Sequence, residues 1–282
     1  MPSFLFTFNL KKDMNPIQLK QRIDFYNDLT RNARFTFTEY AIAVNDVVQE
    51  FIFENLGDKE NRNPKNFQWI NRINDQLYNL IKTTSPALVA GTAITNKYYT
   101  SKVSTISFPV DYSDFVAFNL VVDGLTVYGR STSFNKLQPM LKDSFRHPTN
   151  DNVWYNWNST GLTIYYNGTA SAASLIYLRS TTDYSIGQEA NLIDGPVLLS
   201  AGSYYATAPS VYNGVSYQIG SVITGGFTLS SGQVIPVSVT SPVDLPSQVH
   251  EEIAKRASVR MLIASGNYPS AQAVQSEASK TV

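Results

Sequence analysis

Phe115-Val116-Ala117-Phe118-Asn119-Leu120-Val121-Val122-Asp123-Gly124-Leu125-Thr126-Val127-Tyr128 consists of two apolar, β-branched and aromatic runs hinged on an Asp-Gly pair. Asp and Gly tolerate positive φ, the backbone setting that lets a two-residue turn follow the twist of its flanking strands. The stretch therefore predicts a β-hairpin. Further short runs of the same kind follow the break at Ser85-Pro86: Val103 to Phe108, Val153 to Trp157, Leu162 to Tyr166 and Ser174 to Arg179. Asn167-Gly168 and Asn213-Gly214 are expected to serve as further hairpin turns. No helical pattern separates these strands, which argues for antiparallel sheet and against a doubly wound parallel one.

Before Ser85 the apolar spacing is helical. Asn15-Pro16 opens a helix carrying Ile17, Leu19, Ile23 and Tyr26 and ending near Asn32. Thr36 and Glu39 fit a capping box ahead of Tyr40, Ala41, Val44, Val47, Val48, Phe51 and Ile52, with Gly57 as the stop. Asn63-Pro64 opens a third helix, whose stripe is Phe67, Ile70, Ile73, Leu77, Leu80 and Ile81. From Tyr184 to Val243 Lys and Arg are missing and only Glu189 and Asp194 are acidic. Gly225-Gly226, Ser231-Gly232 and the aromatic runs between them read as a β insertion of short strands and tight turns. Helical spacing returns after Leu245-Pro246-Ser247 with Val249, Ile253, Ala257, Met261 and Leu262, and Gly266 is placed to cap that helix. The expected fold is α+β: a helical bundle of N-terminal helices plus a C-terminal helix, an antiparallel β-domain, and a further β insertion between them. The expected parts are 1–85 helical, 86–183 antiparallel β, 184–243 low-charge β insertion, 244–266 C-terminal helix, and 267–282 a flexible tail that needs a partner to order.

The 282 residues contain 22 basic and 22 acidic side chains and no cysteine. Disulfides, thiolate metal sites and cysteine nucleophiles are thereby excluded, and no global positive field favours nucleic acid or an anionic membrane. Charged residues make up 16% of the chain, below the roughly 25% of an ordinary globular protein. Such a surface is expected to be partly covered by something, and 17 Tyr and 15 Phe favour packed β-structure and interfaces over disorder. Met1 to Leu10 lacks the basic leader and cleavage site of a signal peptide, and no stretch offers 18 consecutive apolar residues. In a chain read as lacking a secretion signal, Asn158-Ser159-Thr160 and Asn167-Gly168-Thr169 read as turns rather than glycosylation sites.

Catalytic patterns are sparse. Histidine occurs only at His147 and His250, and His250-Glu251-Glu252 has Ala254 where a zinc-protease helix requires its second His. His250 is therefore expected on a surface or interface, in an early helical turn whose positive end suits Glu251 and Glu252. No phosphate-binding glycine loop and no nucleophile elbow is present. Asp111, Asp114, Asp123 and Asp151 are available as an acid and base pair, but their Pro, Gly and Asn neighbours make turn stabilisation the stronger reading. Trp154, Tyr155, Trp157, Tyr165, Tyr166 and Tyr177 raise an alternative, a carbohydrate-binding surface that would stack sugar rings on exposed aromatic faces. Alternation puts Tyr155 and Trp157 on one sheet face and Trp154 on the other, which favours core or subunit interface. Lys11, Lys12, Arg31 and Arg34 are interspersed with Asp13, Asp24 and Asp28, the pattern of a solvated helix face.

The order of helices, then Ile106-Ser107-Phe108-Pro109-Val110-Asp111-Tyr112, then Leu162-Thr163-Ile164-Tyr165-Tyr166, then Asp244-Leu245-Pro246-Ser247-Gln248-Val249-His250-Glu251-Glu252-Ile253 resembles head-to-tail adaptor (connector) proteins of tailed bacteriophages. The Val211 to Val239 insertion before the last helix is similar to that of neck ring proteins of crAss-like phages. The insertion is longer than a minimal adaptor needs. The resemblance implies a non-enzymatic virion protein of the neck or tail, synthesised in the host cytoplasm and using no cofactor. It also implies a homo-oligomeric ring of about twelve copies under the portal. Such a ring would bind the portal protein and the next tail or neck ring protein, pass genomic DNA through its lumen without specific binding, and have no membrane partner. Expected portal contacts are Asn267, Tyr268, Val274 and Val282, and expected ring-interface residues are Trp154, Trp157 and His250.

Overall fold

The computed structural model describes residues 13–28, 35–56, 76–95, 99–143, 146–212, 214–226 and 228–278. Its fold is α+β, and the chain divides into two compact units, Leu80–Ser180 and the remainder, Met1–Asn79 with Thr181–Val282.

In the second of these, helix α1 (Pro16–Asp28) starts where Asn15 caps it. The Asn15 side-chain oxygen accepts the Gln18 N–H at 2.9 Å, and the Gln18 side chain accepts the Asn15 N–H at 3.1 Å. Helix α2 (Phe37–Leu56) has the capping box its sequence predicts: Glu39 accepts the Thr36 N–H at 2.7 Å and Thr36 Oγ1 accepts the Glu39 N–H at 3.3 Å. Ile17, Leu19, Ile23 and Tyr26 of α1 and Tyr40, Val44, Val47, Val48 and Phe51 of α2 are buried. Residues 57–75, where most of the expected third helix falls, lie outside the described residues, as do Lys11, Lys12, Arg31 and Arg34. The end of that stripe needs correction. Tyr78–Leu80 is a 3-10 turn, and Ile81 opens a strand because the run through Lys82, Thr83 and Thr84 pairs with Leu178 to Leu175.

The Leu80–Ser180 unit is two facing sheets. Strands β1 (Ile81–Thr84), β2 (Val89–Ala90), β3 (Ile94–Thr95), β4 (Thr100–Ser107), β5 (Tyr112–Val122) and β6 (Leu125–Tyr128) come first. They are followed by β7 (Arg130–Ser131), helix α3 (Phe134–Lys142), β8 (Trp154–Trp157), β9 (Gly161–Tyr166) and β10 (Ala170–Arg179). One sheet has the order β1-β10-β5-β6 and the other β2-β4-β9-β8-β7, with β3 also on β4. All pairs are antiparallel except β7 with β8. Phe118, Leu120, Leu175 and Tyr177 of the first sheet meet Ile106, Tyr155, Leu162 and Ile164 of the second in one core. Asp123-Gly124 makes the predicted hairpin turn, with φ +49° and +81°. Asn167-Gly168 does not: it carries the chain from β9 in one sheet to β10 in the other, and Asp123 holds this arch by accepting the Thr169 N–H at 2.8 Å. Helix α3 departs from the expectation that no helix separates the strands; it carries Pro139 inside it and packs Leu137 and Leu141 on the outer-face side chains Trp154 and Tyr165.

The insertion forms β11 (Ile193–Asp194), β12 (Val197–Leu198), β13 (Ser203–Ala206), β14 (Ser210–Tyr212), β15 (Val215–Tyr217), β16 (Val222–Thr224), β17 (Thr228–Ser231) and β18 (Gln233–Pro236). Two four-stranded sheets, β11-β18-β13-β16 and β12-β17-β14-β15, share a core of Leu199, Tyr204, Ala206, Ile223, Leu229 and Val234. β14 and β15 are joined across Asn213-Gly214 with Tyr212 opposite Val215, although Asn213 itself lies outside the described residues.

Helix α4 (His250–Ala264) follows a 3-10 turn at Ser247–Val249. It ends as predicted at Gly266, φ +77°: Asn267 N–H donates to Leu262 O (2.9 Å) and Gly266 N–H to Ile263 O (3.0 Å), the two bonds of a Schellman cap. Within the stretch expected as a flexible tail, residues 267–278 form a cap and a helix instead. Tyr268–Ala278 is helix α5, packed on α4 with Ala271 and Val274 buried, so two small apolar side chains at i and i+3 suffice for docking on a neighbouring helix.

Candidate assembly surfaces

The loop of residues 108–111 carries the chain from β4 in one sheet to β5 in the other. Tyr112 N–H donates to Pro109 O at 3.1 Å, closing a turn, and the Phe108 and Tyr112 rings stack with centroids 4.0 Å apart. Tyr112 lies 6.0 Å from the Tyr177 ring, and Phe115 meets Trp157 edge-on at 5.1 Å. Asp111 anchors the loop by accepting Tyr177 Oη–H at 2.9 Å and a Lys82 Nζ proton at 2.7 Å. Those bonds hold its carboxyl below the usual range. Above this scaffold Val110 is fully exposed and Trp157 is 43% exposed. The result is a firmly held loop that presents apolar surface to solvent.

On the insertion, Leu198 (74%), Val215 (54%) and Val222 (53%) face solvent, each on a different edge strand, in a segment without Lys or Arg. β15 and β16 are sheet edges, and their residues carry none of the charges with which natural edge strands discourage pairing. Three residues each is their only visible guard.

The individually expected contact residues separate. Trp157 is exposed at the end of its sheet. Trp154 is not a surface residue: it is buried beneath α3, its indole N–H donating to Asn152 Oδ1 at 3.1 Å. His250 is 1% exposed rather than on a surface or interface, because both ring nitrogens bond backbone inside the unit: Nε2 with Leu245 O at 2.8 Å and Nδ1 with Met14 N–H at 3.1 Å. Asn267 serves the α4 cap and accepts the Ala271 N–H at 3.1 Å; Tyr268 is exposed. Val274 is buried against its own chain, which removes it as a contact for another, and Val282 lies outside the described residues.

Of the six aromatic residues that raised a sugar platform, Trp154, Tyr155, Tyr165, Tyr166 and Tyr177 are buried, leaving Trp157 alone exposed. Each of the four aspartates has hydrogen-bond partners of its own, Asp111 those described above. Asp114 accepts the Phe115 N–H at 2.7 Å, Asp123 sits in its turn, and Asp151 is bonded by Thr149 Oγ1–H, which lowers its carboxyl below the usual range. Among the described residues no group of three His, Asp or Glu side chains is arranged as metal ligands, and no helix is long and apolar enough to cross a membrane.

Two polar constructions were missed in the sequence. Asn45 of α2 binds both backbone groups of Tyr184, accepting its N–H at 2.7 Å and donating to its carbonyl at 3.1 Å, while the buried Tyr184 hydroxyl donates to Pro16 O at 2.8 Å. The entry to the insertion is thereby pinned to both α1 and α2. Asn in a helix interior, where its propensity is poor, was the available signal. The other is Glu251 of α4, which receives Arg22 of α1 bidentately at 2.7 to 2.9 Å and also the Tyr26 hydroxyl. Burial pushes the Glu251 carboxyl up, but these donors outweigh it and the net shift is downward.

No protein-family model matches the chain, and no curated protein matches it.

Proposed function

We propose that this protein is a head-to-tail adaptor, one copy of a closed ring of about twelve that joins a phage portal to the tail and lines the DNA channel. The observation that carries the reading is apolar exposure in two separate parts of the chain, at Val110 and Trp157 and on the edge strands of an almost uncharged module at Leu198, Val215 and Val222. A heterologous ring needs two different complementary patches per copy, and these supply that chemistry. Zero formal net charge suits a channel through which DNA slides, since a strongly basic lining would grip it. In this reading α1, α2 and α4 form a helical bundle that is the ring body, and the exposed Tyr268 edge of α5 takes the place given above to a flexible tail in binding the portal.

Light scattering of the purified chain with and without portal tests this. A ring mass on portal addition is expected, together with loss of that mass in the Val110→Asp, Trp157→Ala double variant, whose folding circular dichroism checks. A folded double variant that still forms rings overturns the assignment of Val110 and Trp157, and a wild-type chain that stays monomeric with portal overturns the adaptor reading.

A further inference from the structure

His250 is the first residue of α4, and neither of its ring nitrogens is free. A carbonyl can only accept, so Nε2 carries the proton that goes to Leu245 O. The Met14 backbone N–H can only donate, so Nδ1 presents a lone pair. The ring is therefore neutral, as one defined tautomer, and its contact with Met14 ties the chain entering α1 to the start of α4, across 236 positions of sequence. A proton on Nδ1 would set two N–H groups against each other and abolish that tie.

We propose that His250 is a pH-governed latch, closed while its ring is neutral and released when Nδ1 is protonated, freeing the segment at Met14 from α4. The surroundings oppose the cation on balance. Burial pushes the imidazole below its ordinary value, against the smaller upward pulls of the Leu245 carbonyl and the Asp13 carboxylate. The positive end of α4 acts in the same direction as burial. The other charged groups near the latch have partners of their own. Glu251 is held by Arg22 and Tyr26 of α1, Glu252 by Arg256 one turn on, and Asp244, in the turn before the helix, accepts the Thr182 N–H at 2.7 Å. Asp13 is the described carboxylate that acts on the ring, and it favours the open state.

Amide hydrogen exchange of the full chain at pH 7.5 and 5.0, corrected for intrinsic rates, tests the latch. Protection of the Met14 amide should fall about tenfold per pH unit once the ring's own midpoint is passed, while Ile253 to Leu262 keep theirs. His250→Gln, which cannot titrate, should remove the pH dependence. Equal Met14 protection on both sides of the ring's own midpoint, or the same dependence in a folded His250→Gln, overturns the proposal. Should that variant not fold, nitrogen-15 spectra of the wild-type ring decide. Nδ1 unprotonated at pH 7.5 and titrating in step with the Met14 amide is expected, and Nδ1 protonated at pH 7.5, or a Met14 amide that ignores the ring, overturns the latch.

Discussion

Asn45 does more for the fold than its place on a helix suggests. Asn45→Ala would strip the partners from one N–H and one C=O of Tyr184, and unsatisfied buried backbone groups cost about 1 to 3 kcal/mol each. Urea denaturation should show a loss of roughly 2 to 3 kcal/mol, whereas a change below about 0.5 kcal/mol would mean that water replaces the bonds. Glu251 makes a pH prediction. Its folded-state carboxyl titrates below the unfolded one, so its contribution is present above the ordinary glutamate range and is lost as pH falls through the folded value. Thermal melts from pH 7 to 3 should show wild type losing its advantage over Glu251→Gln below about pH 4.5. A constant difference would contradict the ion pair. His250 adds loss of stability on acidification from about pH 6.5 downward, because the unfolded chain takes up the proton first.

Elements whose signals are local were readable. The Thr36 and Glu39 box, the Asn15-Pro16 start, the Gly266 cap and the Asp123-Gly124 turn each depend on residues within five positions of one another, and each forms. What depended on distant partners was not. Asn167-Gly168 has the same turn chemistry as Asp123-Gly124, but β9 pairs with β4 and β8 while β10 pairs with β5 and β1, so the turn becomes an arch between sheets. The 267–282 stretch reads as too polar to order by itself, yet α4 offers Ala271 and Val274 a surface. Among the candidate contact residues, Trp157 is exposed while Trp154 and His250 are buried: alternation gives the face of a sheet but not what covers it, and the Met14 partner of His250 is 236 positions away. The insertion has a core of its own, so replacing residues 188–238, beyond the Ser185 to Ser241 bridge, with a short Gly-containing turn should leave the helices folded while abolishing ring assembly. Circular dichroism and light scattering check the two halves, and intact rings would remove the insertion from the assembly surface.

At the scale of the molecule, charge and apolar exposure are the relevant quantities. A chain with 16% charged residues that leaves Val110, Trp157, Leu198, Val215 and Val222 in solvent has surface suited to being covered by protein. Specific contacts of this kind bury more than roughly 1,000 Å², and a ring subunit makes two with its neighbours before any axial partner is added. Electron microscopy of the full chain mixed with purified portal is the most direct measurement. The account predicts a closed ring coaxial with the portal, with the Val110 loop and the insertion both in contacts between subunits. Particles showing only bare portal, with the chain left as a monomer, would contradict it.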